Sequence, residues 1–283
     1  MTVTDAELTT LASTHDIISL GAAADEVRRQ RHGTRTTFVR VAVIDAAPGA
    51  PVDVPPAAGE LRISGVPASR AAACQRVLEV VAAAGQTPVS GFSLADLEEI
   101  AATEHIPLRA FLEELAQAGL ELVSEAPFDR LRDPRLAVEE VNIAGLALAR
   151  LTIQTLPSAD VAALYREIAA LQHDVGVIHA FAPLQRAVNP AVPTTGYDDV
   201  KRVALARLFV SNIASIQVDW SLYGPKLAQV ALTVGADDVD AVSPLDDTGE
   251  GRRRAPLEEV RRNIRAASLD PVERNGRFDP RPA

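Results

Sequence analysis

Apolar positions along this chain switch repeatedly between helical spacing and short β-rich runs. Leu8, Leu11, Ile17, Ile18, Leu20, Ala24 and Val27 recur at helical spacing and Gly33 follows as a stop, so residues 5–32 read as two helices. TTFVRVAVID (36–45) is mostly apolar and β-branched, as expected of a buried strand. Residues 46–59 (AAPGAPVDVPPAAG) hold four prolines and two glycines and read as a loop. LRISGV (61–66) is a short strand, and 68–84 an alanine-rich helix closed by Gly85. The alternation continues with strands near 87–91, 120–124, 150–156, 177–184 and 216–221. Helices are expected at 93–103, with Ser93 as N-cap, and at 106–119, 135–149, 158–176, 197–212, 224–235 and 256–267, before a final extended piece.

About seven strands alternating with helices predict parallel βαβ units. A (β/α) barrel is favoured over an open doubly wound sheet, because the strand count approaches eight and no strand is followed by a phosphate-binding glycine fingerprint. Three segments are expected: an N-terminal helical extension (1–33), the barrel (34–245) and a C-terminal tail (246–283).

Composition narrows the function classes. With 47% hydrophobic residues among 283, the chain is too apolar and too periodic for disorder. A formal charge of −10 argues against non-specific nucleic-acid binding. The basic clusters Arg28, Arg29, Arg31, His32 and Arg252–Arg254 are expected as solvated faces. The opening residues lack a basic stretch followed by an apolar one, and no run of about 18 apolar residues occurs, so a cytoplasmic protein without a membrane span is expected. A single cysteine, Cys74, excludes an intramolecular disulfide and any cysteine-rich metal site built from this sequence alone. It is expected as a buried free thiol on its helix.

GxGxxG, Walker A, HExxH and GxSxG are all absent. Two softer constellations remain. VIHAFAPLQRAVNP (177–190) carries His179, and then Gln185 and Asn189 towards the carboxyl end of a strand, the face on which barrels bind ligands. In VDWSLYGPKLAQVALTVGADD (218–238), Asp219 and Trp220 end a strand, Gly224 and Pro225 open a helix, and Lys226 and Gln229 lie near its start. The same residues also suit a capping loop, a core tryptophan and a solvated lysine. His15, His32, His105 and His173 are too scattered to converge on a metal, and Asp237 and Asp238 are expected as solvated surface carboxylates.

The run 194–242 resembles the C-terminal part of a group of radical-SAM proteins: aminofutalosine synthase, dehypoxanthine futalosine cyclase and FO synthase. Gly224-Pro225-Lys226-Leu227-Ala228-Gln229 followed by Gly235-Ala236-Asp237-Asp238 is most similar to aminofutalosine synthase. Residues 18–39, 171–184 and 258–274 carry the likeness further. The resemblance implies a TIM-like radical-SAM-type barrel, shortened to six to eight parallel strands, and a place in menaquinone biosynthesis. It also implies a CxxxCxxC loop after the first strand, holding a 4Fe-4S cluster that chelates S-adenosylmethionine. Here that stretch is AAPGAPVDVPPAAG, without cysteine. The glycine pair expected after the second strand reads Ser64-Gly65-Val66, the glycine triplet expected after residue 122 reads Glu125-Ala126-Pro127, and LTIQTLPSAD (151–160) lacks the family's glycine and histidine.

The expectation is therefore a non-catalytic homologue without radical-SAM activity, with no catalytic residues, no metal and no resident cluster. It would bind a partner enzyme of the menaquinone pathway or a pathway metabolite through His179, Gln185, Asn189, Asp219, Trp220, Lys226 and Gln229. The alternatives are a cluster-independent enzyme or S-adenosylmethionine- or nucleoside-binding protein with Asp219 as base, and a transferase whose cluster a partner completes.

Overall fold

The structure is a computed structural model that describes residues 10–155, 161–187, 194–246 and 255–281. Its first complete helix, α1 (Ile17–His32), is capped by Asp16, whose side chain accepts from Ile18 N and Ser19 N, and ends at Gly33 with φ 62°. The long strand β1 (Arg35–Asp45) follows. Next come β2 (Glu60–Ser64), α2 (Arg70–Ala84), β3 (Val89–Ser93), α3 (Leu94–Thr103), α4 (Leu108–Gln117) and β4 (Leu122–Pro127). Then follow α5 (Pro134–Ile143), β5 (Ala147–Leu148), β6 (Leu151–Ile153), α6 (Val161–Val175), β7 (Ala180–Gln185) and α7 (Gly196–Phe209). The chain continues through β8 (Ser215–Asp219), α8 (Trp220–Leu232), β9 (Asp238–Val242), α9 (Pro256–Ala266) and β10 (Asp270–Arg274).

Strands β1, β2, β3, β4, β6, β7, β8 and β9 pair in that order, all in parallel, and β9 pairs back onto β1, with Phe38 opposite Val239. The expected (β/α) barrel is thus present, closed and eight-stranded. Its outward residues, among them Phe38, Ile44, Leu61, Ile63, Phe181 and Val239, merge with the inner helix faces into one continuous core. Tyr165 meets Phe181 edge-on at 5.6 Å.

β1 is much longer than β2, and the tail resolves the mismatch. Residues 41–45 of β1 pair with β2, while 35–39 pair with β10, which continues the same edge. Backbone groups that would otherwise sit on an open edge are paired.

No helix lies between β1 and β2; residues 46–59 make the crossover alone. The wholly buried Arg76 of α2 holds its upper end, donating from Nε to Asp45 O (2.7 Å) and from Nη1 to Ala50 O (2.9 Å) and Glu79 (2.8 Å). Arg281 donates to Ala57 O near the lower end, at 2.8 Å. Arg76→Met orphans these carbonyls, with an expected loss of about 3 kcal/mol and a Tm drop of roughly 6–12 °C. A calorimetric scan that shows no change would mean that the loop is held by other contacts.

Several expectations need correction. The sequence DVDAV was not expected as a strand, yet it forms β9. Asp237 and Asp238 are buried, not solvated, because Arg207 and Arg274 pair with them. Arg28 is fully buried too, bonded to Asp25 (2.9 Å) and to Gly33 O (3.1 Å). Helix 135–149 stops at Ile143 because Gly145 turns the chain at φ 81°, and residues 147–148 join the sheet instead. Ser93 occupies the N-cap position without making a cap hydrogen bond. Cys74 is only half-buried. Arg252–Arg254 lie outside the described residues.

Candidate functional site

Glu60 and Arg62 alternate along β2 with Leu61 and Ile63, which belong to the outer core, so the two charges face the lumen. Arg62 reaches past β1 to Asp240 on β9 and makes two bonds of 2.9 Å, while its Nε donates to Glu60 at 2.8 Å. Ser90 on β3 donates to the same Glu60 carboxylate at 2.5 Å. From the opposite wall, Arg150, just before β6, donates to Asp240 at 2.7 Å. Towards the carboxyl-terminal mouth, Glu125 lies 3.9 Å from Arg150 and 3.2 Å from Arg186, and Arg186 donates to Asp219 at 2.7 Å.

The result is a chain of alternating charge across the barrel: Glu60, Arg62, Asp240, Arg150, Glu125, Arg186 and Asp219. Burial pushes the Asp240 carboxyl up, but Arg150 and Arg62 outweigh it and hold it far below the usual carboxylate range. Glu60 is likewise held low: burial works against it, and Arg62 prevails. Nearer the amino-terminal end, Arg274 clasps Asp238 through bonds of 2.7 and 2.6 Å, and Gln217 donates to the same carboxylate at 2.7 Å.

Among the residues expected at the site, the structure gathers two. Gln185 ends β7, is buried, and lends its carbonyl to the Tyr223 hydroxyl. Asp219 ends β8, caps α8 through Leu222 N (2.9 Å), and accepts from Ser221 (2.8 Å) as well as Arg186. Each of its oxygens is engaged. Trp220 packs into the core. The chain kinks at Gly224 (φ 75°, ψ 169°), so the second part of α8 starts at Pro225, as the sequence implied. Lys226 is exposed and Gln229 half-exposed on that part, and neither pairs with the lumen charges. His179 precedes β7 at the opposite, amino-terminal mouth. Asn189 lies outside the described residues.

Sequence reading missed Glu60, Arg62, Arg150 and Asp240. The available signal was a charge inside an otherwise apolar strand run. Three buried polar atoms in the lumen have no hydrogen-bond partner among the described residues: Arg150 Nε, Thr152 Oγ1 and Gln217 Oε1. They lie on the strands flanking β7, whose lumen residues Ala180 and Ala182 are small. Val43 near the carboxyl end of β1 and Val66 just after β2 are 66% and 67% exposed, and Leu222 at the start of α8 and Leu245 after β9 are exposed as well.

Residues 180–283 match the family model of the CofH/MqnC C-terminal region. The aminodeoxyfutalosine synthase of Thermus thermophilus is 27% identical over 179 residues, covering 54% of this chain and 48% of that protein. The 5-amino-6-(D-ribitylamino)uracil–L-tyrosine 4-hydroxyphenyl transferase of Methanoculleus marisnigri is 44% identical over 62 residues, covering 22% of this chain and 17% of that one. The chain thus spans half or less of the length of these curated relatives. Methylornithine synthase superposes with a TM-score of 0.69 over 96% of this chain and 95% of its own, at 14% identity, which speaks for the fold alone. The likeness first read from residues 194–242 is borne out: residues 180–283 match the CofH/MqnC C-terminal region, and an aminodeoxyfutalosine synthase is among the proteins this chain is similar to.

Proposed function

We propose that this chain is a non-catalytic homologue of the aminofutalosine synthases that keeps the barrel as a binding scaffold for a menaquinone-pathway enzyme or metabolite. The alternating ion chain across the lumen carries this reading. Charges that satisfy one another offer little to a reacting substrate, and Asp219, the carboxylate best placed to act as a base, is tied up as a helix cap and ion-pair partner.

The donor set for a 4Fe-4S cluster does not fit either. The resemblance would place three thiolates after β1, and residues 46–59 hold none. Cys74, on α2, has its sulfur 3.9 Å from a Glu114 carboxylate oxygen, and both burial and that carboxylate raise its thiol pKa. A binding role is supported by the exposed apolar side chains Val43, Val66, Leu222 and Leu245, and by the unpartnered polar atoms of the lumen.

Anaerobic reconstitution with iron and sulfide tests the reading. The expected outcome is iron at the level of the buffer blank, no brown-cluster absorbance, and no saturable heat on titration with S-adenosylmethionine. Retention of about four iron atoms per chain would overturn it.

A further inference from the structure

The amino-terminal mouth of the barrel is closed by the chain's own tail. After β10, residues 275–279 form a tight turn in which Asn275 Oδ1 accepts from Arg277 N (2.8 Å) and Asp279 N (3.0 Å). Arg277 fastens the turn to Glu121 through bonds of 2.5 and 2.8 Å. The turn inserts the ring of Phe278 between two partners. His179 lies 4.1 Å away, centroid to centroid, and the Arg274 guanidinium sits 3.9 Å from the ring centre. Phe278 adopts φ 66°, a left-handed backbone that costs a residue with a side chain, and its ring is only half-buried.

Two cavities of about 220 and 360 Å3 adjoin here, and His179 and Phe278 line both. Phe278 is therefore a partition. Without it the two merge into a space of the size that small molecules occupy, roughly 300–1,000 Å3. One wall is apolar, from Leu122, Leu148 and Val177. The other carries Arg35 at its opening, exposed and without an ion-pair partner among the described residues. The acids nearby are already engaged: Asp237 with Arg207, and Asp238 with Arg274. Glu121, which also lines the apolar cavity, pairs with Arg277, so among the charged side chains lining the two cavities Arg35 is the one without an ion-pair partner among the described residues.

We propose that the amino-terminal mouth binds a flat aromatic carboxylate, whose ring takes the seat of Phe278 against His179 and Arg274 and whose carboxylate meets Arg35. Phe278 is the intramolecular stand-in for that ring and competes with it. Burial pushes the His179 imidazole pKa down despite Asp238 nearby, so at neutral pH it presents an uncharged face for stacking. The proposal does not depend on what the opposite mouth does.

Titration of the full chain with benzoate, followed by ligand-observed NMR and calorimetry with benzamide as the uncharged control, tests it. Weak saturable binding of benzoate by the wild type is expected. Phe278→Ala removes the competitor and should tighten binding about tenfold. Phe278→Leu, which keeps most of the volume without the ring, serves if the alanine variant fails to fold. Arg35→Gln should abolish the preference for benzoate over benzamide, and His179→Ala should weaken both. No saturable binding by the wild type or either Phe278 variant, or binding unaffected by His179→Ala, would overturn the proposal and leave Phe278 as a plug only.

Discussion

Asp240→Asn should lower the unfolding free energy by about 3–5 kcal/mol, the cost of leaving buried charges without their counter-ion. Asp240 is 1% exposed and joins Arg62 and Arg150 from opposite sides of the lumen, so one substitution removes the carboxylate they share and leaves Arg62 with Glu60 alone and Arg150 with Glu125 at 3.9 Å. Asparagine keeps the shape and loses the charge. Chemical denaturation of the purified variant checks the magnitude. A loss below about 1 kcal/mol would place the pair among solvent-screened ion pairs. Replacing the set together, with Arg62→Met, Arg150→Met and Asp240→Leu, should recover much of the loss, since apolar residues of like volume often match a buried ion network.

The pH dependence has a definite sign. Asp240 is held below its unfolded-state pKa, so its contribution is present above about pH 4 and fades as pH falls towards the folded value. The gap between wild type and Asp240→Asn should therefore be constant at neutral pH and narrow only in strong acid.

Arg274→Met is the second large effect. Asp238 is fully buried on β9, and Arg274 supplies two of the bonds to its carboxylate. Methionine preserves much of the packing but strands that charge, again at about 3–5 kcal/mol. The loss should also loosen the tail, because Arg274 ends β10 and underlies Phe278. Hydrogen exchange should show faster exchange at residues 35–39 of β1, whose lower edge β10 covers. Faster exchange spread evenly over the barrel, with no local change at that edge, would mean that β10 is not fastened by this pair. Asp238→Leu combined with Arg274→Met should be milder than Arg274→Met alone.

Much of the architecture was legible because it rests on local patterns. Short runs rich in apolar residues marked β1, β7 and β8, and glycine stops closed α1 and α2. The proline-rich 46–59 segment read correctly as a loop, which the structure shows to be the crossover between β1 and β2. β9 was hidden because DVDAV carries two acids, and carboxylates ordinarily mark solvent. Only their cations, Arg274 after α9 and Arg62 far upstream on β2, make that strand stable, and no window of sequence contains both. The same reason concealed the lumen chain. Asp219 and Gln185 could be placed because both fall at strand ends, where side chains meet the mouth. His179 could be found, but not its mouth, because which end of β7 it occupies depends on where pairing begins.

By itself, the sequence determined the βα order, the barrel class, the family likeness and the cysteine-free 46–59 segment, since each is written in contiguous residues. The tertiary structure alone decided that the barrel closes, that its lumen is filled by paired charges, and that Phe278 seals the far mouth against His179. Those outcomes join residues from distant strands, and a buried charge acquires its meaning only from the partner that folding brings to it.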